Sequence, residues 1–279
     1  MYEVDLHLHT TASDGRLKPS ELVGLIAKRG IRFAAITDHD STEGLSETFE
    51  AAQAFPELAI IPGIELSSDI PGKEVHILGY FLDYSNKEFQ ATLKQFRVGR
   101  VERARLMVEK LSNLGLPVEW DRVIELADGA VGRPHIAQAM VEKGYISVPQ
   151  DAFIEYLGRN GRAYVQRPKL TPEEAVEMIR KVGGSAVLAH PIEVGELSDL
   201  ETILPSLRDA GLDGIEVYYG NYSEPHVSFL QNIAEKYNLV ACGGSDYHAF
   251  STPNEVEPGD IGPPREALDL LTSHNKNHL

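Results

Sequence analysis

Short apolar segments rich in β-branched residues recur along the chain at residues 3–8, 33–37, 59–62, 75–81, 186–189, 214–218 and 239–243. Each has the length of a strand and is too short for an ordinary buried helix. Between several of them the apolar positions shift to helical spacing. Residues 19–28 carry Pro19 in the first turn, 41–54 are acidic early, and 171–182 open T-P-E-E, a capping box, before Gly183-Gly184. Repeated strand–helix units predict an α/β fold with a mostly parallel sheet, and about seven of them predict closure into a barrel; an open doubly wound sheet is the alternative.

The rhythm changes between residues 86 and 167. Residues 89–114 read as one long helix, and shorter helical stretches follow at 120–126, 134–142 and 150–157 without an intervening strand. This predicts an all-helical insertion (86–167) in a barrel domain formed by 1–85 and 168–279, placed as a cap that covers the mouth and restricts access to small molecules. Gly183-Gly184 and Gly243-Gly244 read as turns.

Composition narrows the chemistry. The 279 residues are 42% hydrophobic and 24% charged, with no apolar run long enough to span a membrane. A formal net charge of −16 argues against duplex DNA and anionic membranes as partners and favours a small ligand. Bound divalent cations are outside that count, so a locally positive cleft and an anionic substrate remain compatible with it. Cys242 is the sole cysteine, which forbids an internal disulfide and fits a reducing compartment; its strand context reads as packing. The chain opens directly on a strand pattern with no basic-then-apolar leader, and a cytoplasmic location is predicted.

The opening segment Y-E-V-D-L-H-L-H-T-T-A-S-D alternates apolar Val4, Leu6 and Leu8 with Asp5, His7 and His9. With a side-chain period of two, both imidazoles share a face. Such a pair is either a metal site or two hydrogen-bonded histidines near a strand end. T-D-H-D follows the second strand, offering Asp38, His39 and Asp40, one of which should face the site. P-G-I-E-L-S with Glu65 follows the third, and the fourth carries His76. A-H-P gives His190, and G-G-S-D-Y-H gives Asp246 and His248. In a parallel βα fold the carboxyl ends of strands share one rim. Six of the ten histidines lie at or just beyond predicted strands, a concentration that solitary core histidines do not explain. Imidazole and carboxylate without thiolate suit Zn²⁺, Mn²⁺ or Fe²⁺, and so many ligands imply two or three ions.

In this order, H-L-H-T, Asp14, T-D-H, G-I-E, an isolated strand histidine, A-H-P and S-D-Y-H resemble the polymerase and histidinol phosphatase (PHP) superfamily, over almost the whole chain and including R-P-H-I-A at residues 133–137. The resemblance is to its stand-alone phosphoesterases and implies a distorted (β/α)7 barrel. It further implies one ion held by His7, His9, Glu65 and Asp246, a second by Glu65, His76 and His190, and a third by Asp14, His39 and His248, with Glu65 bridging. His7, His9, Glu65, His190 and Asp246 are the implied catalytic group. Some relatives have His where this chain has Asp14, and an oxygen ligand there favours Mn²⁺, Fe²⁺ or Mg²⁺ over Zn²⁺. Asp5 and Asp40 read as acceptors that orient imidazoles or as solvated strand-end acids.

Adjacent ions activate a shared water for in-line attack on phosphorus, which predicts hydrolysis of a phosphate ester without a Ser or Cys nucleophile. The expected substrate is a small phosphorylated molecule, a 3′,5′-bisphosphate nucleotide or the 5′ end of a short RNA. Histidinol phosphate or an amidohydrolase-type C–N bond is the alternative. Arg133 and His135 on the insertion are the leading phosphate-contact candidates, ahead of Arg159 and Arg162, which read as solvated loop charge. Tyr218, Tyr219 and Tyr222 follow a strand toward the rim, suited either to stacking on a base or to packing.

Overall fold

The computed structural model describes residues 1–127, 130–167, 169–195, 197–220, 222–250, 252 and 254–276. Seven strands form one sheet in chain order: β1 (Val4–Leu8), β2 (Phe33–Ile36), β3 (Ala59–Ile70), β4 (Lys73–Tyr80), β5 (Ser185–Leu188), β6 (Gly214–Tyr219) and β7 (Val240–Gly244). Helices α1 (Pro19–Lys28) and α2 (Leu45–Ala52) follow the first two strands. Helix α3 (Lys87–Asn113) follows β4, and α4 (Trp120–Ala127), α5 (Arg133–Glu142) and α6 (Pro149–Ala152) come next. The remaining helices are α7 (Pro172–Lys181), α8 (Leu197–Ala210), α9 (Glu224–Lys236) and α10 (Glu266–Lys276). The chain divides into two compact units, Met1–Gln90 with Leu170–Leu279, and Ala91–Lys169.

In the first unit the sheet bends until its two edges nearly meet. Leu8 bridges Tyr247 in parallel fashion, His9 N donates to Tyr247 O at 3.0 Å, and Asp246 N donates to His7 O at 2.9 Å, so β1 and the end of β7 share a seam. Val4, Leu6, Ala35, Leu78, Tyr80, Val187, Val240 and Cys242 fill one core. Tyr80, wholly buried there, satisfies its hydroxyl by donating to Leu6 O at 3.0 Å. A second cluster packs Leu22, Val23 and Ile26 of α1 against Leu8, Ala34 and Ile36. The T-P-E-E signal forms as read: Thr171 Oγ1 accepts from Glu174 N at 3.2 Å, and Glu174 Oε2 accepts from Thr171 N at 2.8 Å.

The sheet is mostly parallel, with β4 the exception, running antiparallel to both its neighbours β3 and β5; two other expectations need correction. The Pro71-Gly72 turn between Ile70 and Lys73, with Gly72 at φ 87, makes β3 and β4 a tight hairpin where a helical crossover would otherwise be needed. β3 is twelve residues long; its first part pairs with β2 and its second with β4, which places Glu65 inside the strand rather than after it. Gly243 and Gly244 lie within β7, not in a turn. A Cβ on Gly244 would stand 2.5 Å from His7 N and 2.6 Å from His7 Cβ, so glycine is required there for the seam to close.

The second unit is built from helices, with a π-helical turn at Phe153–Leu157 after α6. Met107, Leu111, Val123, Ile136, Met140 and Leu157 form its own core.

Candidate metal centre

All nine candidate ligands belong to the first unit and lie in one cluster around Glu65. Glu65 Oε2 faces His7 Nε2 at 3.3 Å, His9 Nε2 at 3.3 Å and His39 Nδ1 at 3.1 Å. Its Oε1 faces His76 Nδ1 at 2.8 Å and His190 Nε2 at 3.0 Å, and those two nitrogens are 3.2 Å apart. Asp246 Oδ1 stands 3.2 Å from His7 Nε2 and 3.1 Å from His9 Nε2. On the far side of His9, Asp14 Oδ1 lies 3.4 Å from His248 Nε2, and Asp14 Oδ2 lies 3.8 Å from His39 Nε2. Three groups with metal-ligand spacing result: His7, His9, Glu65 and Asp246; His39, Glu65 and His76; and His9, Asp14, His39 and His248. In the grouping implied by resemblance, His39 belonged to the third ion alone and His190 to the second. In the folded chain His39 also meets Glu65, and His190 joins through Glu65 and His76.

Backbone explains why these side chains meet. His76 stands in the first half of β4, and only because that strand is reversed does it reach the rim used by the ends of its neighbours. β1 shifts register against β2 between Asp5 and Leu8, the segment that carries His7. Two candidate ligands, His190 (φ 26) and Asp246 (φ 54), occupy the left-handed region, which non-glycine residues adopt only when surroundings hold them there. The three strand-end residues of T-D-H-D divide the work. Asp38 accepts from Thr10 N at 2.7 Å, Thr10 Oγ1 at 2.7 Å and Ser13 Oγ at 2.6 Å, fixing the loop that presents Asp14. His39 faces the cluster, while Asp40 accepts from Ser67 N at 2.9 Å. Asp5 likewise takes backbone amides, Ser245 N at 3.0 Å and His7 N at 3.3 Å. These hydrogen bonds of the two acids run to main chain, neither to imidazole nor to solvent.

Electrostatics follow from burial and crowding. Burial favours neutral imidazole, and at His39 it wins, pushing the pKa down to about 3. At His9 burial is outweighed by Asp246 and Glu65, which raise the pKa to about 10, and at His190 by Glu65, which raises it to about 9. Against burial, the surrounding imidazoles hold Asp14, Glu65 and Asp246 below the usual carboxylate range. His9 Nε2, Asp14 Oδ1 and His39 Nδ1 are buried without a hydrogen-bond partner in good geometry, a cost that a bound cation among them would remove. The donor set, imidazole nitrogen with carboxylate oxygen, fits divalent transition metals.

Further residues complete the surroundings. Tyr219 donates to Asp246 Oδ2 at 2.8 Å, and Tyr222 Oη accepts from Ile192 N at 3.0 Å, so these tyrosines brace ligand-bearing segments. Tyr218 Oη accepts from Gln231 Nε2 at 3.2 Å. Glu216, which sequence reasoning missed, accepts from His7 Nδ1 at 3.0 Å; its signal was a lone acid in the otherwise uncharged strand G-I-E-V-Y-Y. Arg133 and His135 lie in the helical unit. The Arg133 guanidinium sits over the Phe153 ring at 5.6 Å, and His135 Nδ1 accepts from Gly132 N at 3.0 Å, capping the start of α5. In the same unit Arg162 sits over the Tyr156 ring at 5.8 Å, and Arg159 follows the π-helical turn. No helix among the described residues is long and apolar enough to cross a membrane.

Comparison with known proteins agrees with this geometry. The PHP domain model matches residues 5–148. The chain is 34% identical over 253 residues to a 3′,5′-nucleoside bisphosphate phosphatase of Chromobacterium violaceum, covering 89% of this chain and 88% of that protein. It is 36% identical over 248 residues to the 5′-3′ exoribonuclease Rnm of Salmonella typhimurium, covering 88% and 84%. A solved structure from Bifidobacterium adolescentis described as a metal-dependent phosphoesterase superposes with a TM-score of 0.87 at 29% identity, covering 98% of this chain and 96% of the other. Ligand order, mixed barrel and likeness along the chain thus lead to one placement: this protein belongs to the PHP family and is a metal-dependent phosphoesterase.

Proposed function

We propose that the enzyme removes phosphate from a nucleotide, either a nucleoside 3′,5′-bisphosphate or the 5′ end of a short RNA, with two or three divalent ions held by the nine ligands. The observation that carries this reading is the convergence of five imidazoles on the two oxygens of Glu65, with Asp14 and His248 extending the cluster to one side. His7, His9, Glu65 and Asp246 would hold one ion, and Glu65, His76 and His190 a second. Asp14, His39 and His248, with His9 alongside, would hold a third. Divalent ions there supply Lewis acidity toward phosphoryl oxygens and an activated water. The three ligand carboxylates and Glu216 together contribute −4, so two divalent ions would neutralise these groups and a third would leave them positive, which favours an anionic substrate. Glu65 fixes the spacing of the ligands around it, and Tyr219 holds the second oxygen of Asp246 so that the first faces the two histidines. Mn²⁺, Fe²⁺ or Mg²⁺ at the Asp14 side follows from its oxygen donor. The names of the two relatives support nucleotide-type substrates.

Release of inorganic phosphate from a panel of nucleoside 3′,5′-bisphosphates, 5′-phosphorylated oligoribonucleotides and histidinol phosphate tests the reading. Activity on the nucleotides is expected, and Glu65→Gln or His7→Ala, folded by circular dichroism, is expected to lower it by about 100-fold or more. Silence on every nucleotide with turnover of histidinol phosphate would reverse the substrate assignment.

A further inference from the structure

Glu216 is fully buried in β6 between Ile215 and Val217, which are also fully buried. Its two oxygens reach different parts of the cluster. Oε1 accepts from His7 Nδ1 at 3.0 Å, and Oε2 accepts the backbone N–H of His190 at 2.7 Å. The first contact leaves His7 Nε2 pointing at Glu65 and Asp246. The second fixes a residue whose backbone is left-handed, at φ 26 and ψ 58, immediately before the turn Pro191–Val194. Glu216 is paired with Cys242 in the ladder, and β6 shifts register against β7 just after it, between Glu216 and Tyr218.

We infer that Glu216 is a positioning residue that ties two ion sites together, setting the tautomer of His7 with one oxygen and the backbone of His190 with the other. The inference rests on the reading of His7 and His190 as metal ligands. Two acceptors are needed at once, and only a carboxylate supplies both. Glutamine has the same shape but one acceptor. With its carbonyl on His190 N–H, its amide nitrogen would face His7 Nδ1 and favour the tautomer protonated on Nε2, the atom aimed at the cluster. With the amide turned over, a donor would face the His190 N–H. A carboxylate serving only to fill β6 would be better replaced by an apolar residue, because burying an acid among aliphatic neighbours opposes folding.

The test is calorimetric titration of metal-stripped protein with Mn²⁺, alongside the melting temperature of the same metal-stripped preparations, for wild type, His7→Ala, Glu216→Gln and Glu216→Met. Glu216→Gln is expected to bind Mn²⁺ about 10- to 100-fold more weakly while its metal-stripped melting temperature stays near that of wild type. Glu216→Met, which fills similar volume and accepts neither N–H, should weaken binding at least as much. Wild-type affinity and stoichiometry in both Glu216 variants, with an ion lost from His7→Ala, would overturn the role of Glu216 and leave the ligand reading standing. Full metal content in His7→Ala would overturn the ligand reading and this inference with it. A lowered melting temperature in both Glu216 variants with unchanged Mn²⁺ affinity of the folded fraction would assign Glu216 to the core alone.

Discussion

At the scale of single residues, the centre is a place where protons and cations compete for the same lone pairs. His9 and His190, raised to about 10 and about 9 by the acids beside them, carry protons at neutral pH in the metal-stripped protein. Metal ligation requires them neutral, so loading must release protons, and apparent affinity must rise with pH through the range below those values. Calorimetry at neutral pH in two buffers of different ionisation enthalpy is expected to show a heat that tracks the buffer; equal heats would mean that His9 and His190 are already neutral before the metal arrives. Asp5 has the opposite behaviour. Burial raises its carboxyl from 3.8 to about 6, so the folded state holds that proton more tightly than the unfolded chain. Its ionised form therefore opposes folding above about pH 6 by roughly 3 kcal/mol, and the penalty fades as pH falls toward 4. Asp5→Asn in metal-stripped protein is expected to melt higher than wild type at about pH 7.5 and equally at about pH 4. A stabilisation present at both pH values would implicate packing instead.

At the scale of elements, strand positions were readable from the apolar runs, and α1 was readable to its ends because Pro19 and the apolar spacing mark it. Strand direction was not, since an apolar run buried on both faces looks the same in either sense. The I-P-G-K turn before β4 was the available sign of reversal. Most candidate ligands were legible as polar residues in or just beyond the apolar strand segments and Asp14 only through the family resemblance, whereas Glu216 was hidden because it supports the cluster from within an apolar strand. Asp38 was visible, yet its grip on Thr10 and Ser13 depends on a loop that pattern alone does not place. Glycines make the same contrast testable. Gly244→Ala would drive a methyl into His7 and is expected to lower both melting temperature and metal content. Gly24→Ala, within α1 and facing open space, is expected to stabilise by about 0.5–1 kcal/mol. Reversed signs in thermal melts would refute the close approach of β7 to β1 as the reason for glycine at 244.

At the scale of the whole molecule, a chain of net charge −16 is read as attracting an anion into a small cationic centre. Long-range repulsion and short-range attraction oppose each other, and salt screens the former more effectively because the Debye length is about 10 Å at 0.1 M. KM for a bisphosphate nucleotide is therefore expected to fall as ionic strength rises from about 0.01 to 0.1 M, the reverse of ordinary charge-steered binding. A steady rise in KM over that range would show that the cationic centre dominates at distance.

The closure of β1 against the end of β7 has a consequence for biogenesis. His7 and Asp246 are separated by more than two hundred residues of sequence, yet Asp246 Oδ1 stands 3.2 Å from His7 Nε2 and 3.1 Å from His9 Nε2 across that seam. Contacts so distant in sequence form late and slowly. The proposed donor set is therefore incomplete until the segment carrying Asp246 and His248 has been made and has closed against β1.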